Sequence, residues 1–143
     1  MFRSVVILAL GLFCMPLGAA AQQPTKVARV GMLAGNPRSA VQWAAFERRL
    51  RERGYVEGQN LVLEFRSAEG QAERFPDLAA ALVQRNLDVL VVPSAQAALR
   101  AARQATRTVP IVMIAIDFDP IAQGYIAGLA RPEGNITGVV FYT

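Results

Sequence analysis

Leu87-Asp88-Val89-Leu90-Val91-Val92 (residues 87–92) and Pro110-Ile111-Val112-Met113-Ile114-Ala115-Ile116 (residues 110–116) are almost continuously apolar and rich in β-branched side chains. A strand with one face in water alternates apolar and polar residues with a period of two, and these runs do not. Strands of this kind belong in a parallel sheet covered by helices on both faces.

The segments around them agree. Pro93-Ser94 leads into Ala95 to Thr106, an alanine-rich stretch of high helix propensity. Upstream, Val27 to Leu33 reads as a strand that ends in the turn Ala34-Gly35-Asn36-Pro37. A helix is expected next, with Ser39 as its cap, Trp43, Phe46 and Leu50 at helical spacing, and Gly54 closing it. On that amphipathic stripe Trp43 reads as core rather than as a ligand-stacking ring. Gly58-Gln59-Asn60 turns into a strand, Leu61 to Phe65. Ala72 to Asn86 then carries Phe75, Leu78, Ala79, Leu82 and Val83 as a second amphipathic helix, with Pro76 tolerated near its start. Downstream, Asp119-Pro120 is expected to open a helix through Leu129, Pro132-Glu133-Gly134-Asn135 to turn, and Ile136 to Tyr142 to form a fifth strand. The alternation predicts an α/β fold with a doubly wound, mostly parallel sheet of about five strands.

The N-terminus is of another kind. One positive charge at Arg3, an apolar run from Val5 to Leu17 and the small residues Gly18-Ala19-Ala20-Ala21 form the three-part layout of a secretory signal. Residues 1–21 are therefore expected to be a cleaved signal peptide and residues 22–143 one α/β lobe, with a periplasmic destination. The apolar run is shorter than the ~20 residues that a spanning helix needs, so no membrane insertion is expected after cleavage. Cys14, the only cysteine, lies in this leader, and Gly11-Leu12-Phe13 before it does not match a lipoprotein signal. With no histidine in the chain, the usual general base, the usual partner of a serine nucleophile and the commonest metal ligand are all missing. The net charge of +4 comes mainly from arginines mixed with acids, as in Glu47-Arg48-Arg49-Leu50-Arg51-Glu52-Arg53, a solvated helix face rather than a nucleic-acid surface.

In doubly wound sheets ligands bind outside the carboxyl ends of the strands, where helix N-termini offer free amides. The candidate ligand-binding residues are Gly35 and Asn36 after the first strand, Ser94, Ala95 and Gln96 after the third, and Asp117 and Asp119 after the fourth. Ser94 and Asp119 also read as helix N-caps, and Asp117 as either a solvated strand end or a partner for a ligand ammonium. The two acids fall on one side of an extended segment, yet no other acid, base or nucleophile is expected beside them, so no catalytic residue is assigned. The turn LAGNPRS has neither phosphate-binding glycine pattern, so no nucleotide cofactor is expected. Two acids without an EF-hand loop assign no metal site. Asn135-Ile136-Thr137 spells a glycosylation sequon but reads as a turn into a strand.

Four segments together resemble the substrate-binding proteins of bacterial ABC importers with the type I periplasmic-binding fold, in the group that includes aromatic amino-acid binders. They are Leu50-Arg51-Glu52-Arg53-Gly54-Tyr55-Val56-Glu57-Gly58-Gln59-Asn60, Leu87-Asp88-Val89-Leu90-Val91, Asp119-Pro120, and Leu129-Ala130-Arg131-Pro132-Glu133-Gly134-Asn135-Ile136-Thr137-Gly138. The chain departs at Glu133, where the family often has glycine, and in Asp117-Phe118-Asp119, which is one residue longer than the commoner spacing. The resemblance implies a two-lobed clamp that closes on a small-molecule solute and presents it to a membrane permease, with this chain supplying the N-terminal lobe and the second lobe absent. It also implies that Ser94 and the amides of Ala95 and Gln96 hold a ligand carboxylate, while Asp117 or Asp119 holds an ammonium. Two other readings remain open from the residues alone: an exported flavodoxin-like sensor whose acids coordinate a cation, and an exported hydrolase.

Overall fold

The structure is a computed structural model that describes residues 26–93 and 95–143. The expected signal peptide, Cys14 and Ser94 lie outside the described residues. Five strands form one sheet: β1 (Ala28–Ala34), β2 (Leu61–Ser67), β3 (Val89–Pro93), β4 (Ile111–Ile116) and β5 (Ile136–Phe141). Their order is β2-β1-β3-β4-β5, and every neighbouring pair is parallel. The helices are α1 (Val41–Glu52), α2 (Phe75–Val83), entered through a 3-10 turn at Ala72–Arg74, and α3 (Gln96–Ala105).

The two apolar strands first identified in the sequence lie inside the sheet, with strands on both sides and side chains buried on both faces. Leu90, Val92, Ile111, Met113 and Ala115 pack with Phe75, Leu82 and Leu99 from α2 and α3. On the opposite face Val30, Met32, Leu61, Leu63 and Val91 pack with Trp43, and Phe46 and Leu50 of α1 close over them. The sheet is thus covered from both sides, as a doubly wound fold requires. It is not covered evenly. Register pairs Ile114 with Val139 and Ile116 with Phe141, and Ile116, Val139 and Phe141 remain 37%, 49% and 54% exposed on the face that α1 covers farther along the sheet.

Local chemistry fixes the turns. Gly54 adopts φ +86, its N–H donates to Arg51 O at 2.9 Å and Tyr55 N–H donates to Leu50 O at 2.9 Å, which ends α1 in a Schellman pattern. Asn60 then holds the following turn, accepting from Val56 N–H at 2.7 Å and donating to Gly54 O at 2.8 Å. Asn135 has a similar part before β5: its Nδ2 donates to Val109 O at 2.8 Å, and Ile111 N–H donates to its carbonyl at 2.7 Å. Gly138 faces Met113 across the β4–β5 ladder, where a Cβ would lie 1.9 Å from Met113 O.

Two expectations are corrected. Ser39 does not cap α1; Ala40 occupies the N-cap and no side chain bonds the first turn. The helix expected from Asp119 to Leu129 is a single turn. Asp119 Oδ1 accepts from Ile121 and Ala122 N–H at 2.8 and 3.2 Å. Gly124 then takes φ +69, with Gly124 N–H on Ile121 O and Tyr125 N–H on Pro120 O at 2.9 and 2.8 Å. Glycine costs a helix interior about 1 kcal/mol relative to alanine, and here two glycines, Gly124 and Gly128, precede Pro132. Buried Pro120 and Ile126 anchor this connection to the core, and Arg103 secures it by stacking on Tyr125 at 5.0 Å and donating to Gly124 O at 2.6 Å.

Candidate functional site

Because all five strands run the same way, Ala34, Pro93 and Ile116 deliver their loops to one rim. The order β2-β1-β3 means that the chain leaves β1 in one direction and returns on its other side. The loops after β1 and β3 therefore diverge and leave a crevice between them, the switch point of such sheets. A cleft of about 240 Å³ occupies this position, lined by Ala34, Gly35, Asn36, Gln42, Trp43, Pro93 and Ala95.

Each wall has a local cause. Gly35 and Asn36 end β1, and Ser67 Oγ donates to Gly35 O at 3.3 Å to hold that loop toward β2. Gln42 and Trp43 come from the first turn of α1. Trp43 is 6% exposed, set edge-on against Phe65 at 5.3 Å and Phe46 at 6.3 Å. Its Nε1 is the one buried side-chain polar atom among the described residues that has no hydrogen-bond partner. Ala95 is the N-cap of α3, and its own N–H donates to Pro93 O at 2.8 Å, so the free amides of that helix begin at Gln96.

Of the residues expected from sequence, Gly35, Asn36 and Ala95 meet in this cleft and Gln96 opens the helix beside it. Asp117 and Asp119 sit on the same rim but do not line the cleft, and both have partners within the chain. Asp117 takes φ +57 and donates its N–H to Phe141 O at 3.0 Å. Its carboxylate accepts from Thr143 N–H and Oγ1 at 2.9 and 2.8 Å. Those two bonds hold its pKa below the usual carboxylate range. Asp119 is occupied by the turn amides described above. The sequence reading passed over Gln42, and placed Trp43 in the core alone; the residue is both core and cleft wall. The available signal was position, since the first turn of the helix after β1 adjoins the switch point.

The described walls of this rim cleft are uncharged, and the fold around it is that of one lobe of a type I periplasmic-binding protein. The chain belongs to the ABC transporter substrate binding protein family, whose model matches residues 30–140. It is 32% identical over 100 residues to the tyrosine-binding protein of Clostridioides difficile, covering 68% of this chain and 28% of that protein. Among solved structures, a conserved domain protein from Vibrio cholerae superposes with a TM-score of 0.74 at 29% identity, covering 82% of this chain and 40% of that one. The ABC domain from Streptococcus pneumonia in complex with L-Trp gives 0.68 at 28% identity, covering 79% and 38%. The chain thus spans well under half the length of each of these relatives.

Proposed function

We propose that this chain is the N-terminal lobe of an extracytoplasmic solute-binding component of an ABC importer. It would capture a small organic solute of the amino-acid class between two lobes and present it to a membrane permease. The observation that carries the reading is the cleft at the β1–β3 switch point, inside the region that the family model matches, with one side open to solvent through exposed Asn36 and Gln42. A ligand in a complete site loses about 70 to 90% of its surface to the protein, and one wall cannot supply that. The second wall belongs to the part of the relatives that this chain does not span. The names of the C. difficile and S. pneumonia relatives favour an amino acid as solute. Within this reading Gly35, Asn36, Ser94, Ala95 and Gln96 line the ligand seat. Asp117 and Asp119 stand on the same rim outside the cleft walls, already accepting hydrogen bonds from within the chain, and would join the seat through their remaining acceptor sites.

Residues 1–21 act as a cleaved signal peptide and give a periplasmic product, and the chain catalyses no reaction. Among the described residues no helix is long and apolar enough to cross a membrane. Two measurements test the proposal. Calorimetric titration of the chain with amino acids should show weak binding at most, and tight stoichiometric binding would overturn the two-lobe argument. Expression in a Gram-negative host should give a periplasmic product beginning at Gln22; an uncleaved product in the cytosol would overturn export.

A further inference from the structure

We infer that the uncovered face of β4 and β5 is a docking groove for an amphipathic helix of a partner protein, one that carries acidic side chains beside its apolar stripe. The groove is separate from the solute cleft and does not depend on how that cleft is read. Its floor follows from register. Val112 packs on the α1 side of the sheet, whereas Ile111, Met113, Ala115 and Val140 pack on the α2–α3 side. Alternation then puts Ile114, Ile116, Val139 and Phe141 on the α1 side. Ile116, Val139 and Phe141 are exposed there, and neither strand contains a charged residue.

The wall is α1, which packs over β2, β1 and β3. Its Glu47 and Arg51 share a surface with Leu61 and Leu63 of β2. Helical spacing places Phe46, Arg49 and Arg53 on the opposite flank, toward the β4–β5 half of the sheet. Together with Leu50 they line a shallow groove of about 520 Å³. Phe46 and Leu50 are half-buried in it, and Arg49 and Arg53 are exposed.

The dimensions suit one helix. Each strand has six residues, which at about 3.3 Å per residue makes a strip roughly 20 Å long. About 13 helical residues span that length, and a helix about 10 Å wide set 8 to 10 Å from α1 covers both strands. Charge selects the occupant. Arg49 is shared with Glu52 at 2.7 Å, and Arg53 has no ion-pair partner among the described residues. An acid on the docked helix would meet both. A second copy of this chain is a poor match, because α1 and α3 expose Arg48 and Arg100, and α2 exposes Ala80 and Ala81, too small to bury the floor.

Isothermal titration of the full chain with two synthetic peptides tests the inference. Each is about 14 residues long, held helical by a side-chain lactam, and bears a leucine stripe; one has glutamates flanking the stripe and its twin has lysines. The glutamate peptide should bind at least about tenfold more tightly at low salt, with the gap narrowing at about 1 M salt as screening shortens the reach of the charges. Arg53→Glu, at an exposed helix end, should reverse the preference, and Phe141→Asp should abolish binding of both. The first variant keeps the test intact if the second does not fold. Equal binding of the twins, binding of neither, or unchanged binding in Phe141→Asp would overturn the inference. So would self-association of the chain in sedimentation that Phe141→Asp removes, since a second copy would then be the occupant.

Discussion

Gly138 shows how little room one residue can have. A methyl group there would meet the Met113 carbonyl at 1.9 Å and its Cγ at 2.7 Å, so β4 and β5 would have to separate. Forced overpacking costs about 1 to 3 kcal/mol, and because backbone is the obstacle, Gly138→Ala should lose at least about 2 kcal/mol in urea denaturation; a loss under about 0.5 kcal/mol would contradict the strand geometry. Two carboxylates set a pH dependence at the same scale. Asp88 accepts from the Lys26 ammonium and from Arg29 N–H, and Asp117 accepts from Thr143; both pKa values are lowered. A group whose pKa is lower folded than unfolded contributes its stability in full above the unfolded value, about 3.9 for aspartate, and loses it as the pH falls through the folded value. The urea midpoint should therefore be flat in these groups near neutrality and fall below about pH 4, with a shallower fall in Asp88→Asn. An unchanged acid slope in that variant would show that the pairing with Lys26 and Arg29 contributes nothing.

Elements differ in how far the sequence reveals them. The five strands were legible because their apolar runs are long and bounded by proline, glycine or asparagine. The first two helices were legible because a 3.6-residue stripe runs through each, and the third because its alanine-rich composition favours helix. The fourth was misread because Asp119-Pro120 is a sound start signal, and the stop signal, Gly124, follows after a single turn. Start signals show where a helix begins and carry no information about its length. Gly124→Ala should cost about 1 kcal/mol, since φ +69 disfavours any side chain, and should add no helical circular dichroism; a gain in helix would mean that the glycine alone stops it. The roles of the two acids were half legible. Capping by Asp119 is a matter of neighbours three residues away, whereas the bonding of Asp117 to Thr143 joins residues 26 apart in sequence. No local pattern announces a pairing of that range. Gln42 was missed for the complementary reason: only the assembled strand order turns the first turn of α1 into a wall.

At the scale of the molecule, the sheet is closed on one face by α2 and α3 and only partly on the other by α1. Ile116, Val139 and Phe141 stand on the open part, beside half-buried Ile114. Contiguous apolar exposure of this kind attracts apolar partners. The chain should bind the dye anilinonaphthalenesulfonate at neutral pH while still unfolding in one cooperative step, which separates an exposed native face from a molten globule. Phe141→Ser should reduce that dye signal by roughly half with the far-ultraviolet spectrum unchanged; full retention would place the dye elsewhere. The fold class itself was legible at this scale, since covered parallel strands admit few arrangements. The position of the cleft followed from strand order, which the linear pattern does not encode.

Trp43 is the chain's sole tryptophan, and it forms part of the wall of the cleft proposed as the ligand seat. Emission excited at the red edge of the protein's absorption therefore comes from one place only. The empty chain should fluoresce at the short wavelengths of a shielded ring, and its intensity should follow occupancy of the crevice without any attached label. On the proposed reading of the cleft, that single ring is a built-in optical gauge of loading.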